Sequence, residues 1–556
     1  MCHARLIAPR LPKPNTHIVS SLRCQPTFPR PSAYTLNVWM LYIKCTMAFL
    51  TLAQDTLLRG VSRLGYVNPF LPERIACERA VLGDEFLEGE PVWSYRAEHP
   101  EPRANVWRAM AKIQPLVEQL RTRLAAGASA REHDLQLYED AALQLIYQRC
   151  YPKFFAAGFG AEQSNSSRWR FYNEFLADWR HFFHIDGVRF PSEHDPRHTF
   201  ACFRQIQRAF DITFRDIIGS SLPAARLRGA IWQSIFTHDM RRYRRTLYAR
   251  MGEFATLITG PSGTGKELAA RAIAESRYVP FDDRRLAFAD DAGQVFFPIN
   301  ISALSPTLVE SELFGHRRGA FTGAVADRRG WLETCPELGS VFLDELGDMD
   351  PAIQVKLLRV IETRTFHPVG DTAARQFRGK LIAATNRDLP DAMRKGQFRE
   401  DLYYRLCSDQ ISTASMAEQL AASPGVLREL VVYMSRRVAG GDGDALAEEV
   451  MPWIESNLGP DYPWPGNYRE LEQCVKNLLI RGNYRPARAA SEDPAEELAA
   501  HARAGTLTAD ELLSRYVTLV YSRTGSYEET ARRLALDRRT VKAKVDSALL
   551  ARLHIS

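Results

Sequence analysis

The stretch Gly260-Pro261-Ser262-Gly263-Thr264-Gly265-Lys266 is the first in this chain whose residue types and spacing imply chemistry. It follows a short apolar run, Thr256-Leu257-Ile258-Thr259, and opens a helical pattern from Glu267 to Glu275. Strand, glycine-rich loop and helix in that order are the setting of a phosphate-binding loop. The glycines let successive N–H groups turn inward, and the helix adds its positive end. Lys266 can then reach the terminal phosphates of a nucleotide. The position after the lysine is ordinarily Ser or Thr, whose hydroxyl touches magnesium. Here it is Glu267. A glycine-rich turn beside a surface lysine is the plainer reading, and the flanking pattern argues against it.

A second element supplies acids. Ser340-Val341-Phe342-Leu343-Asp344-Glu345 is an apolar run ending in two carboxylates. A buried parallel strand that delivers acids at its C-terminal end suits magnesium and an attacking water. Asp344 is expected to hold the metal and Glu345 to orient or deprotonate the water. A third run, Gly379 to Asn386, ends in a polar pair, and Asn386 is placed to sense a terminal phosphate. In Phe398 to Leu406, Arg399 and Arg405 are six residues apart. An arginine that reaches a neighbour's phosphate stabilises charge as it develops, although two helical arginines also form ordinary ion pairs. After Trp464-Pro465-Gly466-Asn467, Arg469 starts a helix from which it could contact nucleotide. Finally Gly319-Ala320-Phe321-Thr322-Gly323-Ala324 places small residues around one Phe-Thr pair, as suits a mobile loop that touches a partner.

Together these motifs resemble the AAA+ domain of bacterial enhancer-binding proteins, the activators of sigma-54 RNA polymerase. The resemblance spans about residues 250–485. In that family the loop lysine is followed by glutamate, so Glu267 becomes a signature. The six residues Gly319, Ala320, Phe321, Thr322, Gly323 and Ala324 resemble the loop that contacts sigma-54, with Phe321 and Thr322 at its tip. The resemblance also implies that Asn300 couples Glu345 to nucleotide state, that Arg399 and Arg405 act in trans on a neighbouring subunit, and that Asn386 and Arg469 are the two sensors. ATP and Mg2+ follow as cofactors, and a dimer that assembles into a hexameric ring follows as the working form. The Pro-Pro-Leu-Arg segment expected after Leu406 is missing, which places lid packing in question.

These sites need an α/β frame: a P-loop core with a parallel sheet and a helical lid over residues 246–485, flanked by other units. Residues 47–245 read as a helical regulatory domain. Val106, Met110, Ile113, Val117, Leu120 and Leu124 recur at helical spacing, with a kink or restart expected at Pro115. Phe203, Ile206, Phe210, Phe214 and Ile217 form a further stripe, more suited to core packing than to a ligand pocket. His181, His184, His194, His198 and Cys202 are too irregular for a metal-finger pattern. Residues 1–46 read as disordered, with translation expected to start at Met47. A linker over 486–504 leads to 505–556, which resembles the Fis-type helix-turn-helix. Asp537 is expected to cap its second helix, which offers Arg538, Arg539, Thr540, Lys542 and Lys544 to enhancer DNA.

Composition agrees. A chain of 556 residues predicts several domains, and a net charge of +6 is too mild for nucleic-acid binding by a global field. Nine scattered cysteines without a C-x-x-C pair argue for a reducing compartment. No transmembrane run is evident, so a cytoplasmic protein is expected, with a signal of unknown kind reaching the N-terminal domain. Rival readings are a AAA+ remodeller of some other protein and a DNA-binding repressor with a vestigial ATPase fold.

Overall fold

The computed structural model describes residues 48–89, 104–159, 169–192, 195–289, 295–460, 462–486, 494–505 and 507–554. The expectations for residues 1–46, for Met47 and for His194 lie outside these.

The first unit is helical, as expected: α1 Leu52–Tyr66, α2 Pro72–Leu82, α3 Ala104–Ala125, α4 Glu132–Phe159 and α5 Tyr172–Phe183. Thr51 caps α1 through a reciprocal pair with Gln54. All six stripe residues of α3 from Val106 to Leu124 are buried. Pro115 lies inside α3, which is a single helix and does not restart there. The α4 helix likewise carries Pro152 internally. Next come α6, Pro196–Asp216, and α7, Leu222–Phe236, each with proline in its first turn.

Five parallel strands form the central sheet: β1 Thr256–Thr259, β2 Phe296–Asn300, β3 Ser340–Asp344, β4 Lys380–Thr385 and β5 Asp409–Ser412. Their spatial order is β2-β3-β4-β1-β5. Period-two alternation sorts their side chains onto two covered faces, as a buried parallel sheet requires. Ile258, Phe296, Phe342, Ile382 and Ile411 pack with α6, α7 and α8 (Lys266–Glu275). Leu257, Phe297, Val341, Leu343 and Leu381 pack on the other face with α9 (Pro306–Phe314), α10 (Pro351–Thr363) and α11 (Glu400–Leu406). The α7 helix is therefore one layer of the ATPase sandwich. The apolar core runs without a break across residue 245.

A helical lid follows, with α12 Met416–Ala422, α13 Val426–Ala439, α14 Gly443–Asn457 and α15 Asn467–Arg481 around Trp464, Leu471 and Val475. The segment that lacks Pro-Pro-Leu-Arg forms α12, held by a reciprocal Ser415–Glu418 cap. The chain ends in α16 Pro494–Ala504, α17 Ala509–Thr524, α18 Tyr527–Leu534, α19 Arg538–Lys544 and α20 Ser547–His554.

Candidate nucleotide site and partner surfaces

The phosphate loop joins β1 to α8. Gly263 and Gly265 have φ of 76° and 87°, in the left-handed region that favours glycine. Room is tight at Gly263 as well, because a Cβ there would lie 2.4 Å from the Gly466 carbonyl oxygen. Gly265 precedes the first helical residue, Lys266, so the positive end of α8 opens into the loop. Thr264 is buried, and its hydroxyl lies 2.6 Å from that of Thr413 at the end of β5.

Lys266 Nζ donates to the carbonyls of Gly260 (2.9 Å) and Pro261 (3.0 Å). Burial lowers its pKa, and the nearby Glu345 and Asp344 charges oppose that shift. Asp344 ends β3, and burial raises its pKa against the Glu345 N–H and the Lys266 charge. Glu345 sits at φ 54°, a strained conformation for a side chain with a Cβ. Its Oε2 is buried with no hydrogen-bond partner. An unpaired buried acceptor beside a lysine suits a water or a metal-bound group, so the donor set fits a magnesium nucleotide. Glu267 instead pairs with Arg271 along α8 at 3.2 Å.

These residues line one cleft of about 540 Å³, together with Arg469 from the lid. Arg469 Nη1 donates to the Ser262 hydroxyl at 3.3 Å. The lid grips the loop at two further points: the Tyr468 N–H donates to the Gly263 carbonyl at 3.1 Å, and the Asn467 amide to the Ser262 carbonyl at 2.9 Å. The cleft also takes in Asp216, Ile217, Ile218 and Leu227 from α6, α7 and their junction, and Tyr433 and Arg437 from α13. Sequence reasoning missed these. The only signal was Ile217, read as the last member of a core stripe; it is buried in that core and also borders the cleft.

Other expected site residues stand outside that cleft. Asn300 pairs in register with Asp344 across β2 and β3, and its side chain accepts from the Ser302 hydroxyl and the Ala303 N–H. Asn386 is exposed just beyond β4. Arg399 pairs with Asp401 at 2.6 Å, and Arg405 with Glu362 at 3.1 Å. Both arginines are exposed and lie outside the nucleotide cleft.

The loop at 319–324 is a compact turn. Gly319 N–H donates to the Ala324 carbonyl at 2.8 Å, and Gly319 and Gly323 both take positive φ. Arg317 ties its base to Asp327 and Asp371. Thr322 is exposed, but Phe321 is half-buried, edge-on to the His316 ring at 4.9 Å. The turn thus presents Thr322 and holds Phe321 back.

In the last unit, Asp537 caps α19 by accepting from the N–H groups of Arg539 (2.7 Å) and Thr540 (3.0 Å). Ala535 takes the left-handed turn conformation at φ 53°. Arg538, Arg539 and Lys542 are exposed. Thr540 is partly buried and bonds Asp537, while Lys544 is partly buried and pairs with Asp510. Of the histidines, His198 is held between the Tyr278 hydroxyl (2.9 Å) and the Arg244 carbonyl (2.7 Å), and His181 pairs with Glu118.

Sequence comparison matches residues 236–412 to the Sigma-54 interaction domain family. Residues 236–412 are a Sigma-54 interaction domain. The match begins at the last residue of α7, ahead of the boundary expected at 246. The transcriptional regulatory protein GlrR of Escherichia coli is 38% identical over 272 residues, covering 47% of this chain and 55% of that protein. The Nif-specific regulatory protein of Azotobacter vinelandii is 40% identical over 224 residues, covering 40% of this chain and 39% of its own. The chain therefore spans about half the length, or less, of the curated relatives it matches. The Sigma-54 interaction domain has the AAA+ ATPase fold; here its phosphate loop and acidic strand end follow strands of one sheet, β1 and β3, with β4 between them. No described helix is long and apolar enough to cross a membrane.

Proposed function

We propose that the chain is a sigma-54-dependent transcriptional regulator. It binds enhancer DNA through the exposed face of α19 and couples ATP hydrolysis in a ring to opening of promoters by sigma-54 RNA polymerase. The observation that carries this reading is one domain that combines a gripped phosphate loop, an unpaired buried Glu345 carboxylate oxygen and the exposed 319–324 turn.

Each residue has a role in this reading. The N–H groups around Gly263, Thr264 and Gly265 cradle phosphate, and Lys266 leaves its own loop carbonyls to meet it. Asp344 would hold Mg2+, which when bound screens the phosphate charge. Glu345 accepts a proton from water or orients it. Arg469 reports nucleotide to the lid. Arg399 and Arg405 already lie on an outer surface, as groups acting on a neighbouring subunit must. The nucleotide-dependent position of the 319–324 turn is the output.

The test is promoter opening by purified sigma-54 polymerase, read by permanganate footprinting. The wild-type chain with ATP opens the promoter. Thr322→Ala turns over ATP at close to the wild-type rate and does not open it. Full opening by Thr322→Ala, or no ATP turnover by the wild-type chain, counts against this reading. A remodeller of another protein would hydrolyse ATP without engaging sigma-54 in any nucleotide state.

A further inference from the structure

The nucleotide cleft lies where β1 and β3 end. A second cavity, also of about 540 Å³, lies where the strands begin. Met251 and Gly252 before β1, Leu338 before β3 and Lys380 at the start of β4 line it. Four cations face two carboxylates in its lining: Arg277, Arg364, Arg378 and Lys380 against Glu253 and Glu337. Both carboxylates are exposed, and Glu253 already pairs with Arg250 at 2.9 Å. Arg378 is exposed too, whereas Arg277 and Arg364 are partly buried and Lys380 is fully buried.

Main-chain carbonyls hold these last three cations. Arg277 Nη1 donates to the carbonyls of Glu337 (2.9 Å) and Gly339. Arg364 donates through Nη1 to Gly379 (3.0 Å) and through Nη2 to Gly252 (2.8 Å). Lys380 Nζ donates to Phe254 (2.9 Å) and Met251 (3.4 Å). A carbonyl orients a cation without cancelling its charge, and buried charges are ordinarily paired. Among the described residues none of the three makes an ion pair. The Nε–H groups of both arginines, and Nη2 of Arg277, also lie outside these hydrogen bonds. Burial lowers the pKa of all three, and at Lys380 the Arg277 and Arg364 charges add to that effect against Asp409. Arg364 follows α10 at φ 57°, a left-handed position suited to glycine. The chain thus accepts backbone strain at a residue whose guanidinium lines the cavity.

We propose that this cavity is an effector site for a small phosphate monoester, its dianion held by Arg277 and Arg364 with the charge of Lys380, and its organic group set against Tyr248, Tyr278 and Phe377. Guanidinium forks match phosphate oxygens, and a dianion supplies the negative charge that the lining lacks. The volume falls within the range of about 300–1,000 Å³ usual for small-molecule sites. The Tyr248 and Tyr278 rings stand 4.6 Å apart, and the Arg364 guanidinium lies 5.6 Å from the Phe377 ring centre. Ile273 of α8 also lines the cavity, and α8 begins at Lys266 of the phosphate loop. Met251 and Gly252 lead into β1, which ends at the same loop. The two sites are thus joined by α8 and β1.

The test is isothermal titration of the full chain, without nucleotide or DNA, with phenyl phosphate, inorganic phosphate and benzoate. A Lys266→Ala background keeps phosphate on the nucleotide loop from being read. Binding is measured directly, so its failure is separate from failure of the proposed function, on which only an effect on ATP turnover would rest. Phenyl phosphate is expected to bind more tightly than either other probe. Arg364→Gly removes a guanidinium while suiting the left-handed backbone, and is expected to weaken phenyl phosphate tenfold or more. Lys380→Met is expected to weaken it as well. If Lys266→Ala does not melt cooperatively, the effect of Arg364→Gly is read in the otherwise wild-type chain, where phosphate on the loop is common to both. Unchanged affinity in Arg364→Gly overturns the site. Inorganic phosphate binding as tightly as phenyl phosphate overturns the ester, and benzoate binding as tightly overturns the phosphate class. No binding of any probe at millimolar concentration also overturns the proposal.

Discussion

Glu345 combines a left-handed backbone with a buried, unpartnered carboxylate oxygen, two costs that a merely structural residue would not carry. Glu345→Gln should therefore lower ATP turnover by about 10²-fold or more while binding of a fluorescent ATP analogue stays within about threefold. Comparable loss of binding would assign Glu345 to the ground state. Lys380 shows the opposite economy. It begins β4, wholly buried, and donates to the Phe254 carbonyl at 2.9 Å. Burial lowers its pKa to about 8. A depressed folded pKa means that the contribution is present above the unfolded value and is lost as pH falls through the folded one. Stability from this group should thus rise between about pH 8 and 10.5, by up to ~3 kcal/mol. Urea unfolding at both pH values should show that rise shrink in Lys380→Met, and an unchanged rise would assign it to other groups.

At the scale of elements, the informative joint is between lid and phosphate loop. Asn467, buried at φ 54°, accepts from the Met416 N–H at 2.7 Å and donates to the Ser262 carbonyl. One side chain thus ties α12, α15 and the loop together. Asn467→Ala should cost about 1–3 kcal/mol in urea unfolding and weaken nucleotide binding severalfold. Loss of stability with unaltered nucleotide affinity would show that the joint is structural only. The strands, the loop and the α19 cap were legible because each is encoded locally: short apolar runs, glycines at positive φ, and Asp537 before a helical run. The lid joint was not, because Asn467 finds its partners 51 and 205 residues away.

Across the whole molecule, the helical domain and the ATPase core are joined by burial. Phe281 and Phe288, on a hairpin of the core, pack against Tyr172 and Trp169 of the helical unit, each at 4.8 Å. The α7 helix covers one face of the sheet. A chain beginning at Arg245 strips α6 and α7 from that face and removes Ile217, Ile218 and Leu227 from the nucleotide cleft. It should unfold well below the full chain, or non-cooperatively, and bind nucleotide weakly. A chain beginning at Asp195 keeps both helices and should retain a cooperative thermal transition. Equal stability and nucleotide affinity in the shorter chain would show that the helical block is separable at 245.

By itself the sequence picked out the phosphate loop and the acidic strand end that the fold brings to one cleft, because both are short contiguous motifs whose backbone needs dictate residue types. It also determined the helical class through its period and the parallel sheet through short apolar runs. Only the tertiary structure decided which groups meet. It brought the core residue Ile217 to the edge of the cleft, turned Phe321 onto His316, and ran one apolar core across residue 245. Those outcomes depend on contacts between distant segments, and no local pattern of residues carries that information.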